Sequence, residues 1–127
     1  MAYPQTYSPL ALVGVADAKV ANAERVIIRP MELVDLSEYG ICVGFLARDQ
    51  RVYPLNDNVF WFPKVVVAPP SYVFVYTGVG TQARTTVEGT GEDALVFHWG
   101  RATTVFNVPQ LLPILVRREI LAVGSQI

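Results

Sequence analysis

His98 is the only histidine in the chain, placed between the apolar run Ala94-Leu95-Val96-Phe97 and Trp99. To act as a general base it would need a nucleophile and an orienting partner within hydrogen-bond reach. Glu92 and Asp93 are near it in sequence only. No Gly-x-Ser-x-Gly elbow occurs, and Ser37 and Ser71 sit in turn contexts. A structural imidazole that hydrogen-bonds locally is the expectation. Cys42, the single cysteine, lies between Ile41 and Val43 and reads as a small buried hydrophobe rather than a nucleophile. It leaves no intrachain disulfide.

Metal and phosphate chemistry find equally little. One His and one Cys, far apart, do not make a transition-metal set. Asn56-Asp57-Asn58 lacks the alternating acids and closing glutamate of a calcium loop and reads as a tight turn. Gly78-Val79-Gly80 and Gly89-Thr90-Gly91 have no following Lys-Ser/Thr and open no helix, so flexible turns are expected there. Glu92 and Asp93 are adjacent, and adjacent strand residues point apart, which rules against a glycosidase pair. No catalytic residue, cofactor or metal is expected, and the chain reads as a non-enzyme.

Aromatic side chains are the better lead. Trp61, Trp99, Tyr53 and Tyr72 could include an exposed platform for a partner side chain or a sugar ring, although a core claims most large side chains. The candidate contacts for a ligand or partner are Trp61, Trp99, His98, Tyr53 and Arg84.

Composition frames these candidates. Of 127 residues, 52% are apolar and only 17% charged, against about 25% charged in an average globular chain. Apolar surface left over after folding implies a partner, either another copy or a larger assembly. The net charge of −1 offers little to nucleic acid. The densest basic feature, Arg117-Arg118, is followed at once by Glu119. The start of the chain has no basic leader, Pro4 and Pro9 interrupt it, and no apolar run approaches the ~20 residues that span a bilayer. Neither membrane nor nucleic acid is expected as a partner, and a cytoplasmic location is the default.

Proline and glycine recur about every ten residues, with β-branched and aromatic residues between them. That spacing predicts many short strands, at 10–15, 24–29, 41–47, 59–62, 64–67, 72–77, 94–98, 103–106, 114–117 and 120–123. Tyr72-Val73-Phe74-Val75-Tyr76 is aromatic on one parity and valine on the other, as a central strand requires. Residues 16–25 predict a loop with one turn. Turns are expected at Arg48-Asp49-Gln50 and before Ser71, at Pro69-Pro70. Residues 78–93 read as an extended loop or mobile hairpin. Taken together these elements predict an all-β chain, a single β-sandwich over 1–127, with 1–9 as an extended N-terminal arm.

Several pieces, in order, resemble the lamin-tail domain. Glu24-Arg25-Val26-Ile27-Ile28-Arg29 is similar to that family's early strand, and Val34-Asp35-Leu36-Ser37-Glu38-Tyr39 to its Val-Asp-Leu-Ser-Gly-Trp/Tyr signature. Phe60 to Pro63, Val65, Val67, Ala68, Pro69 and Tyr72 to Gly78 resemble its middle strands; His98-Trp99-Gly100 with Val105-Phe106-Asn107 resembles its late segment. The likeness spans residues 10–123 and rests on order and spacing. Arg29-Pro30 and Val108-Pro109-Gln110 depart from the family's asparagine and Asp-Gly turn. The resemblance implies an immunoglobulin-like sandwich used as a binding or surface-displayed module. Independently of it, Asp35 and Ser37 are expected to hold a turn that drops Leu36 and Tyr39 into the core.

The expected function is therefore a non-enzymatic interaction or structural module, bound to a protein partner or to copies of itself. The alternative is a carbohydrate- or small-ligand-binding module using Trp61 or Trp99, with 78–93 as a lid. A structural component of a virion or secretion apparatus stands third.

Overall fold

Alternation of valine with aromatic residues at 72–76 forces one set of side chains to each face of a strand. A computed structural model, describing residues 7–127, shows how the chain uses that constraint. The strands are β1 (Leu10–Ala16), β2 (Arg25–Pro30), β3 (Val34–Asp35), β4 (Tyr39–Leu46), β5 (Val52–Trp61), β6 (Val66–Val67), β7 (Ser71–Tyr76), β8 (Ala83–Thr86), β9 (Asp93–His98) and β10 (Leu111–Arg117). The protein is all-β. One 3₁₀ turn, Leu36–Glu38, interrupts the strands.

Five strands form one sheet in the order β1-β2-β7-β9-β8, three form a second in the order β10-β4-β5, and β3 pairs with β6. Val26, Ile28, Val73, Val75, Leu95 and Phe97 of the larger sheet share one apolar cluster with Tyr39, Ile41 and Val43 of the smaller, which Phe62 joins. Phe97 meets Phe62 edge-on at 5.2 Å, a favoured aromatic geometry. The two sheets thus bury their facing sides against each other, in a sandwich-like arrangement.

β7 and β9 run parallel, whereas the other pairings are antiparallel. A parallel pair needs a crossover connection. Here residues 77–82 pass the end of β9 to its far side, β8 descends there, and β9 then slots between β7 and β8. The predicted loop at 78–93 is therefore a hairpin containing β8. Its turn is closed by bonds from Val87 N–H to the Glu92 carbonyl and from Gly91 N–H to the Val87 carbonyl.

The Asp35 turn is as expected. Its carboxylate accepts the Ser37 N–H at 3.0 Å and the Lys64 ammonium at 2.8 Å, while Leu36 and Tyr39 are buried. These bonds, the Lys64 contact first, hold the Asp35 carboxyl down at about 2. Arg48-Asp49-Gln50 turns β4 into β5, with Gln50 at φ +68° and the Asp49 carboxylate accepting the Arg51 N–H. Of 16–25, residues 17–24 form the expected loop, in which Asp17, Lys19 and Asn22 take positive φ and so prevent a helix, while Ala16 and Arg25 belong to β1 and β2.

Four local expectations need correction. Asn56-Asp57-Asn58 is not a tight turn between strands but part of β5. Cys42 pairs with Val59 and Gly44 with Pro54, so residues 55–58 bulge opposite Val43 alone. Of 64–67 only Val66–Val67 is strand. Residues 103–106 are not a strand, because the N–H groups of Val105 and Phe106 are taken by the Glu24 carboxylate rather than a neighbouring strand. Residues 120–123 are not a strand in this chain either, having no neighbour to pair with among the described residues. Of the expected arm, residues 1–6 lie outside the described residues; the Pro9 carbonyl accepts the Met31 N–H at 2.7 Å.

Candidate interaction surface

An antiparallel sheet commonly packs one face on the core and gives the other to water. The three-stranded sheet does not follow that pattern. Ile41 and Val43 of β4 point into the core, as do Leu111 and Leu115 of β10. On the opposite face the register aligns Leu112 with Gly44, Ile114 with Cys42 and Val116 with Gly40. It continues across β4, from Gly40 to Trp61 and from Cys42 to Val59. Directly opposed residues of an antiparallel pair share a face, so these side chains make one continuous surface. None of them is charged.

Glycine shapes this surface. A Cβ on Gly40 would stand 2.5 Å from the Trp61 ring and 2.8 Å from the Phe60 carbonyl oxygen. One on Gly44 would meet Ile114 and Val52 at 2.4 Å. Because Gly40 and Gly44 lack side chains, Trp61, Ile114 and Val52 lean over the central strand and flatten the face. Cys42 lies beneath them, buried, and burial pushes its thiol pKa up. Trp61 stays 41% exposed, with the Arg118 guanidinium 5.2 Å above its ring. A flat apolar face suits a protein surface better than a small molecule.

The outer face of the five-stranded sheet is built differently. Arg29 lies over Tyr72 at 4.1 Å, Tyr72 stacks on Phe74, Arg25 reaches both Phe74 and Tyr76, and Tyr76 stacks on His98. Gly80 ends the ladder: a Cβ there would come within 2.3 Å of the imidazole. Arg29 is further tied to Glu92 at 2.7 Å. Arginines and stacked rings thus cover this face from within the chain.

The five candidate contacts do not converge. Trp61 belongs to the outer face of the three-stranded sheet. His98 lies in the ladder on the opposite side of the molecule, where stacking holds it; its buried Nδ1 has no hydrogen-bond partner among the described residues, in contrast to the expected hydrogen-bonding role. Its sequence neighbours Glu92 and Asp93 are at the other end of β9. Trp99 packs on the core against Phe60. Tyr53 sits opposite Phe45 and donates to Asp49 at 2.7 Å. Arg84 borders a shallow cavity of about 270 Å³ with Asp93, Tyr72 and the 66–71 segment.

Sequence reading missed Val59, Leu112, Ile114 and Val116 as surface residues. Their signal was present in β10, where Leu111-Leu112-Pro113-Ile114-Leu115-Val116 is apolar on both parities. Among the described residues no group of three or more His, Cys, Asp or Glu is arranged to hold a metal, and no helix is long and apolar enough to cross a membrane. Compared with known protein families, curated proteins and solved structures, the chain matches none.

Proposed function

We propose that this chain is a non-enzymatic interaction module, an immunoglobulin-like β-sandwich of lamin-tail type, that self-associates through the outer face of β10-β4-β5. One observation carries the reading: that sheet is apolar on both sides, and the described residues supply cover for only one. A second copy is the favoured occupant because the face is flat and uncharged and continues through Trp61 to Arg118, where the chain's own apolar C-terminal segment begins. The Asp35–Ser37 turn, with Leu36 beneath it, is the local feature that supports the family resemblance. Membership of a larger assembly is the same reading extended to more copies.

A sugar-binding platform is less well supported. Stacking on a sugar needs a free ring face, yet Tyr72, Phe74, Tyr76 and His98 stack on one another or on arginine, and Trp61 lies between Gly40 and Arg118. Residues 83–86 are tied into the sheet by β9, which removes them from a mobile lid.

Sedimentation across the micromolar range tests the proposal. The chain should form oligomers, and Val59→Lys should shift it to monomer while leaving the β-type circular dichroism spectrum unchanged. A wild-type chain that stays monomeric throughout overturns it.

A further inference from the structure

Beyond Arg117 the chain leaves the sheet, and no backbone hydrogen bond holds residues 119–127 among those described. Ile120, Leu121 and Val123 are 80%, 88% and 86% exposed. A single exposed leucine needs no explanation, but a run of large apolar residues marks a contact. As a strand, this segment would place Ile120 and Ala122 on one side and Leu121 and Val123 on the other. Both sides are apolar. That is the pattern of a strand belonging to a sheet that is apolar on both faces, and β10-β4-β5 is such a sheet.

The departure point is anchored. The Arg118 N–H donates to the Glu38 carbonyl at 2.9 Å, and its guanidinium lies over Trp61. The segment thus emerges where Val116, Gly40 and Trp61 end the apolar outer face. In the same sheet β5 is bonded, among the described residues, on one side only, to β4. An edge strand of this kind is a template for another chain.

We propose that residues 120–123 of one copy add as an arm strand to the β5 edge of a second copy, where their two apolar sides extend both faces of β10-β4-β5. This rests on the self-association proposed above and names the segment that makes it. The arm does not reach its own β5. A strand beyond β5 lies three strand spacings from β10, about 14 Å, whereas the three residues from Arg117 to Ile120 span at most about 10 Å. Exchange between copies removes that restriction and gives a reciprocal, closed pair.

The test uses the full-length chain, Leu121→Asp and the control Val79→Asp, whose valine is 77% exposed elsewhere on the molecule. Sedimentation should show at least a tenfold weaker self-association for Leu121→Asp and none of that loss for Val79→Asp. Hydrogen exchange should show amides 120–123 protected in the oligomer and unprotected after dilution to monomer. If Leu121→Asp associates like wild type, or those amides exchange freely in the oligomer, the arm is overturned while self-association through the sheet face stands. If the wild-type chain is monomeric at every concentration, both readings fall together.

Discussion

The carboxylate of Glu24 accepts a hydrogen bond from the backbone N–H of Val105 at 2.6 Å, across 81 residues of chain. The same carboxylate takes the Phe106 N–H, the Lys19 N–H and the Thr77 hydroxyl, at 3.1, 2.9 and 2.8 Å. Each oxygen therefore has two donors, and the residue is 1% exposed. One acid closes the 17–24 loop and pins the irregular 101–107 segment against the larger sheet.

Removing that acid strands its donors. Glu24→Ala should cost about 3 kcal/mol or more in urea unfolding, since each buried donor left unpaired costs about 1–3 kcal/mol. Glu24→Gln should recover only part of this, because its amide NH₂ would face donors. Thr77→Val, which removes one donor and keeps the shape, should cost about 1 kcal/mol. Equal stability of Glu24→Ala and wild type would refute the role.

The same carboxylate sets a pH dependence. Burial opposes its ionisation, but the bonds from Lys19, Val105, Thr77 and Phe106 outweigh burial and hold its pKa below the ordinary value. A lowered folded pKa contributes stability above the unfolded-state value, about 4.3 for glutamate, and that contribution is lost as pH falls through the folded value. Asp35, held at about 2, acts in the same direction. The urea midpoint should be level near neutrality and fall below about pH 4, less steeply in Glu24→Gln than in wild type.

Gly40 should tolerate no side chain. In Gly40→Ala the new methyl would meet the Trp61 ring at 2.5 Å and the Phe60 carbonyl at 2.8 Å, and a backbone oxygen cannot simply swing away. A loss of about 1–3 kcal/mol is expected, as for other overpacked sites. Trp61 emission should shift to the red as the ring lifts from the sheet, measured in a Trp99→Phe background. Unchanged emission and stability would contradict the close contact.

Cys42 should be chemically silent. It is 3% exposed and burial raises its thiol pKa, so the reactive thiolate is scarce. Iodoacetamide should modify it in denaturant and leave the folded chain unlabelled over the same interval. Rapid labelling of the folded chain would show that the face over β4 opens.

Much of the fold was legible because it depends on near neighbours. Alternation at 72–76 specifies a strand with valines on one side, and Val73 and Val75 are fully buried in β7. Asp35, Leu36 and Ser37 specify their own turn. Segments with a strand-like composition but no free partner were misread: 103–106 looks like a strand until Glu24 takes its N–H groups. The Asn56-Asp57-Asn58 run suits a bulge as well as a turn, since both accept irregular backbone, and only pairing with β4 distinguishes them.

By itself the order of residues determined that this protein is all-β and where most strands lie. Tertiary structure alone decided that β9 enters between β7 and β8, that His98 and Trp61 stand on opposite outer faces, and that Ile114 and Val59 are neighbours across Cys42. Strand formation follows from alternation over a few residues, whereas the choice of partner strand joins residues tens of positions apart. A side chain therefore learns which face it shares only when the sheets assemble.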